Sequence, residues 1–238
     1  MKVVLNIDDY CFSKSQIEGT IYAYQNGVAS STTCMANMRD ELLEYGVKRA
    51  NENPGLAIGC HLNLTYGKPV TVNKTLTAPD DKFFSSRVID YNSLDQDEIY
   101  NEFKAQIERF IKFFGKKPTH LDSHHRGYPI MSTNNIRYIV ERLENEYSLP
   151  RGRRSSREVI FRGELYNEFT IENFEKMLLD AMDCGLDYIE QACHAAFIDQ
   201  EMFENTSYTY QRIQELSVIT SQEVKDFYKK YNIERAHY

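Results

Sequence analysis

Met1-Lys2-Val3-Val4-Leu5-Asn6-Ile7-Asp8-Asp9 opens the sequence with a short β-prone run, Val3 to Asn6, that leads straight into two adjacent acids. The same pattern recurs along the chain. Leu56-Ala57-Ile58-Gly59-Cys60-His61-Leu62-Asn63-Leu64 reads as a second buried strand carrying His61. Thr119-His120-Leu121-Asp122-Ser123 resumes extended structure before His124-His125, and Asp187-Tyr188-Ile189-Glu190-Gln191-Ala192-Cys193 ends at His194. Between these runs lie segments of helical period, around 16–26, 36–52, 96–114, 134–146, 171–183 and 221–231. Strands alternating with helices predict a parallel sheet covered by helices, an α/β fold. In parallel α/β barrels the loops at the carboxyl ends of the strands converge on one mouth, so four such strand ends would gather Asp8, Asp9, His61, His124 and His194.

The clearest helix is 96–114, where Ile99, Phe103, Ile107, Phe110, Ile111 and Phe114 recur at spacings of three and four. Ser93 with Gln96, or Asp95 with Glu98, is placed to cap its start, and Gly115 and Pro118 stop it. Within 171–183, Phe174, Met177, Leu178, Ala181 and Met182 mark the inward face, and a Thr220/Glu223 capping box precedes 221–231. No internal repeat or Pro/Gly/Ser-rich linker interrupts residues 1–238, so one domain is expected. Residues 66–93 stand out as an irregular insertion of the kind that forms lids or binding loops.

A formal net charge of -7 leaves no general basic face and argues against nucleic acid as a partner. No stretch reaches the length of a signal-peptide core or a membrane span, so a cytoplasmic location and no membrane partner are expected. The cysteines at 11, 34, 60, 184 and 193 contain no C-x-x-C pair, and their odd number suits reduced thiols. Cys60 and Cys193, beside the candidate site, read as buried fillers rather than nucleophiles.

Strand alternation puts His120, Asp122 and His124 on one side of their run, where three ionisable groups are expensive unless paired or bound. Two imidazoles and a carboxylate suit a divalent metal, with positions left for water and a substrate oxygen. A second carboxylate beside the ligand is placed to take a proton from water. That chemistry suits hydrolysis of an amide or ester.

Four blocks, Asn6-Ile7-Asp8-Asp9-Tyr10, Ile58-Gly59-Cys60-His61-Leu62-Asn63-Leu64-Thr65, Pro118-Thr119-His120-Leu121-Asp122-Ser123-His124-His125 and Ala192-Cys193-His194, resemble the YdjC-type carbohydrate deacetylases. Tyr210-x-Arg212 and Leu216-x-x-Ile219-Thr220-Ser221 resemble that family's last segment. The resemblance implies a distorted (β/α) TIM-like barrel, often a homodimer, that removes the acetyl group from N-acetylglucosamine-type or chitobiose-type sugars, plain or phosphorylated. It makes Asp9, His61 and His124 the metal ligands, Asp8 the general base and His194 the proton donor to the leaving amine. It implies Mg²⁺, whereas the histidine content alone would suit Zn²⁺ and leaves Co²⁺ open. Candidate substrate contacts are Asn63, His125, Arg126, Tyr128 and Arg151, the last within a basic run with Arg153, Arg154 and Arg157. Arg126 is placed to grip a phosphate or carboxylate. Three departures from the family pattern stand out: Cys11 replaces a glycine, Arg126-Gly127-Tyr128 replaces further histidines, and Ala195 replaces a proline. They leave two alternatives, a catalytically silent metal- or sugar-binding sensor and a metal hydrolase of a different bond.

Overall fold

The computed structural model describes residues 1–125, 136–150, 165 and 168–238. Its strands are β1 (Lys2–Tyr10), β2 (Ser31–Cys34), β3 (Ala57–Leu62), β4 (Leu121–Ser123), β5 (Tyr188–Cys193) and β6 (Glu234–Arg235). All pairings between these strands are parallel, in the order β4-β3-β2-β1-β5, and β6 pairs with Lys2 and Val3 at the start of β1. The sheet curls into a half-barrel wrapped by helices, the α/β TIM-like architecture expected from the alternation of strands and helices.

The helices are α1 (Lys14–Asn26), α2 (Asp40–Asn51), α3 (Gln96–Phe114), α4 (Ile136–Tyr147), α5 (Ile171–Asp183), α6 (Gln200–Asn205), α7 (Tyr210–Thr220) and α8 (Gln222–Lys230). Alternation along β1 sends Val3, Leu5 and Ile7 into an apolar cluster with Phe174, Leu178, Ile219 and Val224. Asn6 and Asp8 therefore share the opposite, barrel-interior face. A second cluster joins Ile58, Cys60 and Leu62 of β3 to Ile99, Phe103, Ile107 and Phe110 of α3 and to Val140 and Leu143 of α4. Ile111 and Phe114 only flank that cluster. Among the described residues no helix is long and apolar enough to cross a membrane.

The helix ends decide between the two expected caps of α3 and correct the cap of α8. Asp95 caps α3 by accepting from the Asp97 and Glu98 amides, and Gly115 closes it in the left-handed conformation at φ 65°. α8 is capped by Ser221, which accepts from Val224 N, and not by Thr220. Thr220 ends α7, where its hydroxyl donates to Leu216 O. Elements β2, α6, α7 and β6 were not expected. β2 reads Ser-Thr-Thr-Cys, without the apolar alternation that marks a strand, and its two threonines use their buried hydroxyls for hydrogen bonds. Thr32 Oγ1, for instance, donates to Ile7 O at 2.6 Å.

Residues 66–93 contain only turns and an isolated Thr77–Phe83 bridge among regular features, yet Leu76, Phe83 and Tyr91 are buried. Two carboxylates of α3 hold the segment down. Glu98 accepts from Lys74 N at 2.8 Å and from Thr75 N at 2.8 Å and Thr75 Oγ1 at 2.6 Å. Glu102, fully buried, accepts from Val70 N at 3.0 Å, Thr71 N at 2.8 Å, Thr71 Oγ1 at 2.6 Å and Gln106 Nε2 at 2.7 Å. Gln106 in turn bonds both the amide and the carbonyl of Asn63, at 2.9 and 2.7 Å, tying the end of β3 to the same helix. Glu102→Ala would strand two backbone amides and is expected to cost about 2–4 kcal/mol in chemical denaturation. Proteolytic cleavage within 66–93 should appear first in that variant; unchanged stability and cleavage would show that the segment is held by its apolar side chains alone.

Candidate metal centre

Strand alternation alone would put Asp8 and Asp9 on opposite faces of β1. Asp9 instead adopts φ 67°, and the β1–β2 register shifts between Ile7 and Tyr10, so both carboxylates turn to the same mouth. Cys11 follows at φ 71°, a conformation that favours glycine. Its thiol is accommodated because α2 presents Gly46 there, where a Cβ would collide with the Cys11 sulfur.

Asp9 is the hub. Its Oδ1 lies 2.9 Å from His124 Nδ1 and 3.1 Å from His61 Nε2, and its Oδ2 accepts from Arg212 Nη2 at 2.6 Å. Asp9, His61 and His124 offer ligand atoms within 4.8 Å of one another, and all three residues are buried. His61 Nδ1 lies 2.5 Å from Asp122 Oδ1, an arrangement that fixes the ring and turns Nε2 toward Asp9. Nε2 is buried and makes no directed hydrogen bond there. An orphaned imidazole nitrogen beside a carboxylate and a second imidazole fits a divalent cation held by these three side chains.

Around this core, Asp122 Oδ2 accepts from Thr33 Oγ1 at 2.9 Å, and Asn6 Nδ2 donates to Asp8 Oδ1 at 2.8 Å. Asp8, His61 and Asp122 form a second close group, so His61 bridges the two carboxylate sets. His194 Nε2 stands 3.9 Å from Asp8 Oδ2 with its side chain partly accessible. Its backbone amide donates to Glu215, which also accepts from Tyr208 Oη at 2.5 Å. Arg212 is locked further by Gln16 Oε1 at 2.8 Å and Tyr208 O at 2.9 Å.

These charges move the pKa values. Burial pushes the Asp9 carboxyl up, but the charges of His124 and Arg212 outweigh it and hold Asp9 well below the usual range. Burial pushes His61 down, but the Asp122 carboxylate wins and raises it well above its ordinary value. Burial dominates for His124 and lowers it. Cys60 is buried and its thiol is pushed up by burial, which suits packing rather than nucleophilic attack.

The structure thus brings together Asp8, Asp9, His61, His124 and His194. Asn63 is buried, and its side chain is engaged within the loop: Oδ1 accepts from Thr65 N and Tyr66 N, and Nδ2 donates to Tyr66 O and Asn37 Oδ1. His125 sits at φ 54° with Nδ1 2.7 Å from Thr65 Oγ1. Arg126, Tyr128, Arg151 and the rest of the basic run lie outside the described residues. His120 does not join the cluster; its ring stacks on Tyr238 at 3.5 Å between centroids. Arg212 and Asp122 were not singled out as site residues. The signals were there: Asp122 shares a face with His124, and Arg212 sits in the tail motif.

A parallel half-barrel with a buried carboxylate–imidazole cluster at the carboxyl ends of its strands defines a TIM-like α/β protein whose cluster fits a divalent cation. The chain belongs to the YdjC-like protein family, which matches residues 2–230. It is 33% identical to a carbohydrate deacetylase of Clostridium beijerinckii, over 98% of this chain and 97% of that one. It is 32% identical to carbohydrate deacetylase 2 of Listeria innocua, over 100% and 98%. An Enterococcus faecalis protein proposed to act in cellobiose-phosphate cleavage superimposes with a TM-score of 0.89 at 27% identity, covering 99% of this chain and 97% of that one. A family 4 carbohydrate esterase from Streptomyces lividans shares the fold, with a TM-score of 0.56 at 14% identity over 99% and 92% of the two chains.

Asp122→Asn would weaken the hold on the His61 ring and is expected to reduce divalent-metal affinity roughly 10–100-fold by calorimetric titration. An unchanged affinity would remove His61 from the ligand set or Asp122 from its support. Because the raised His61 must lose its proton to ligate, metal affinity should rise with pH. The gain approaches roughly tenfold per pH unit, for the one proton displaced, only while His61 remains protonated. A flat dependence would show that His61 is already neutral.

Proposed function

We propose that this protein is a divalent-metal-dependent hydrolase that removes the acetyl group from N-acetylated mono- or oligosaccharides of the N-acetylglucosamine or chitobiose type, plain or phosphorylated. The buried Asp9–His61–His124 group carries this reading, flanked by Asp8 and His194, in a chain whose full-length relatives are carbohydrate deacetylases. Asp9, His61 and His124 would hold the cation. Once bound, a divalent cation supplies Lewis acidity, polarising an acyl carbonyl and lowering the pKa of water from about 15.7 to about 7.

The remaining steps belong to the protein. Asp8, steadied by Asn6 at 2.8 Å, accepts a proton from the attacking water as its oxygen bonds to the acetyl carbon. His194, whose backbone amide is held by Glu215, delivers a proton to the sugar nitrogen as the carbon–nitrogen bond breaks. The products are acetate and the free amino sugar. Arg212 keeps Asp9 ionised and oriented from the side opposite the imidazoles. We also infer Mg²⁺ as the native ion and a homodimer in solution from the family resemblance, and a cytoplasmic location as the default reading of the sequence.

Acetate release from N-acetylglucosamine, chitobiose and their phosphates, with Mg²⁺, Zn²⁺, Co²⁺ or Mn²⁺ returned to stripped protein, tests the reaction and the metal together. Metal-dependent release is expected, and silence across the panel with metal bound would refute it. Asp8→Asn should lower kcat about 10²–10⁴-fold with metal affinity retained. Asp9→Asn should weaken the metal itself. The reverse pattern would exchange the two roles.

A further inference from the structure

Tyr66 begins the irregular segment after β3 and brings a half-buried ring to the edge of the metal centre. Its centroid lies 6.3 Å from that of His124 at an interplanar angle of 67°, and 4.8 Å from that of Phe12. The backbone of this residue is clamped by two amide side chains. Tyr66 N donates to Asn63 Oδ1 at 3.1 Å, while its carbonyl accepts from Asn63 Nδ2 at 2.6 Å and Asn37 Nδ2 at 3.0 Å. Asn63 is itself anchored through its main chain to Gln106 of α3. The ring is therefore set in place before any ligand arrives, which lowers the ordering cost of binding. Burial and the nearby Glu201 carboxylate raise the phenol above its ordinary value, so its hydroxyl stays a neutral donor and acceptor. Glu201 is in turn paired with Arg39, through oxygen–nitrogen contacts of 2.5 and 2.7 Å, which links the start of α2 to α6 beside the mouth.

A pyranose offers an apolar C–H face edged with hydroxyls, and a fixed aromatic face with a polar tip matches it. We propose that Tyr66 is the platform on which the sugar ring carrying the acetamide rests, and that Asn63 and Asn37 are positioning residues for it. This rests on the deacetylase reading and adds to it the element that makes the site select a sugar rather than any acetyl compound. It also gives Asn63 an indirect part in substrate recognition.

The test compares steady-state constants for N-acetylated sugars with those for 4-nitrophenyl acetate, a small acetyl ester that has no pyranose to stack. Tyr66→Ala should raise KM for the sugars roughly tenfold, with the ester and the metal affinity unaffected. Tyr66→Phe should stay within about threefold of wild type. Equal losses on sugar and ester, a fall in metal affinity, or no change on sugars would overturn the platform. If Tyr66→Ala fails to fold, Tyr66→Leu replaces it, with the same expected loss. Asn37→Ala should raise sugar KM in the same direction and add nothing to Tyr66→Ala; additive losses would refute the positioning role. Saturation-transfer NMR with N-acetylglucosamine separates this inference from the reaction. Wild type that binds the sugar without releasing acetate would sink the deacetylase reading, while loss of the NMR signal in Tyr66→Ala would still support the platform. Wild type that binds no sugar would overturn the platform itself.

Discussion

The carboxylate of Asp9 is fully buried and remains ionised because cationic and hydrogen-bonding groups from distant parts of the chain converge on it. An isolated charge at that depth would cost many kcal/mol. His124 and His61 answer one oxygen and Arg212 the other, at 2.6 Å. These partners come from β3, the end of β4 and α7, so a single carboxylate ties the start of the chain to its last helices. Buried ion pairs often contribute little net stability, because desolvation offsets attraction. Their value here is geometric: removing one partner leaves the others uncompensated, so the imidazoles are held at the spacing a cation needs.

A second layer supports the first. Asp122 takes one nitrogen of His61 and the hydroxyl of Thr33, and Asn6 reaches Asp8. Polar residues thereby occupy interior positions on β1, β2 and β4 that an ordinary barrel would fill with aliphatic side chains. The apolar requirement is met on the other face, where Val3, Leu5 and Ile7 pack against α5, α7 and α8. The sheet thus has a hydrophobic outer face that drives folding and a polar inner face reserved for chemistry.

The segment after β3 repeats the same logic at the rim. It has almost no regular structure of its own, yet Glu98 and Glu102 replace the hydrogen bonds a helix or sheet would have supplied. An irregular loop gains a defined shape this way, and Tyr66 gains a fixed place beside the buried carboxylate–imidazole cluster.

Much of this was legible in the sequence. Apolar spacing marked α3 over 96–114 and α5 over 171–183 to the residue, and strand runs ending in Asp or His located the mouth of the barrel. Periodicity works there because a helix or strand facing a core must repeat its apolar residues at its own pitch. β2 escaped notice because its run is polar, with the buried Thr32 and Thr33 hydroxyls engaged in hydrogen bonds, and α7 because its buried face includes Arg212 and Glu215. The capping of α8 by Ser221 was hidden for the same reason, since an unrecognised helix ended one residue earlier. Residue type and spacing determined which groups could do chemistry. Tertiary structure alone decided that Asp8 and Asp9 face the same way, that Asp122 serves His61 and that Arg212 closes on Asp9. Those facts depend on a left-handed backbone turn and on contacts between residues up to 203 positions apart, which no local pattern encodes.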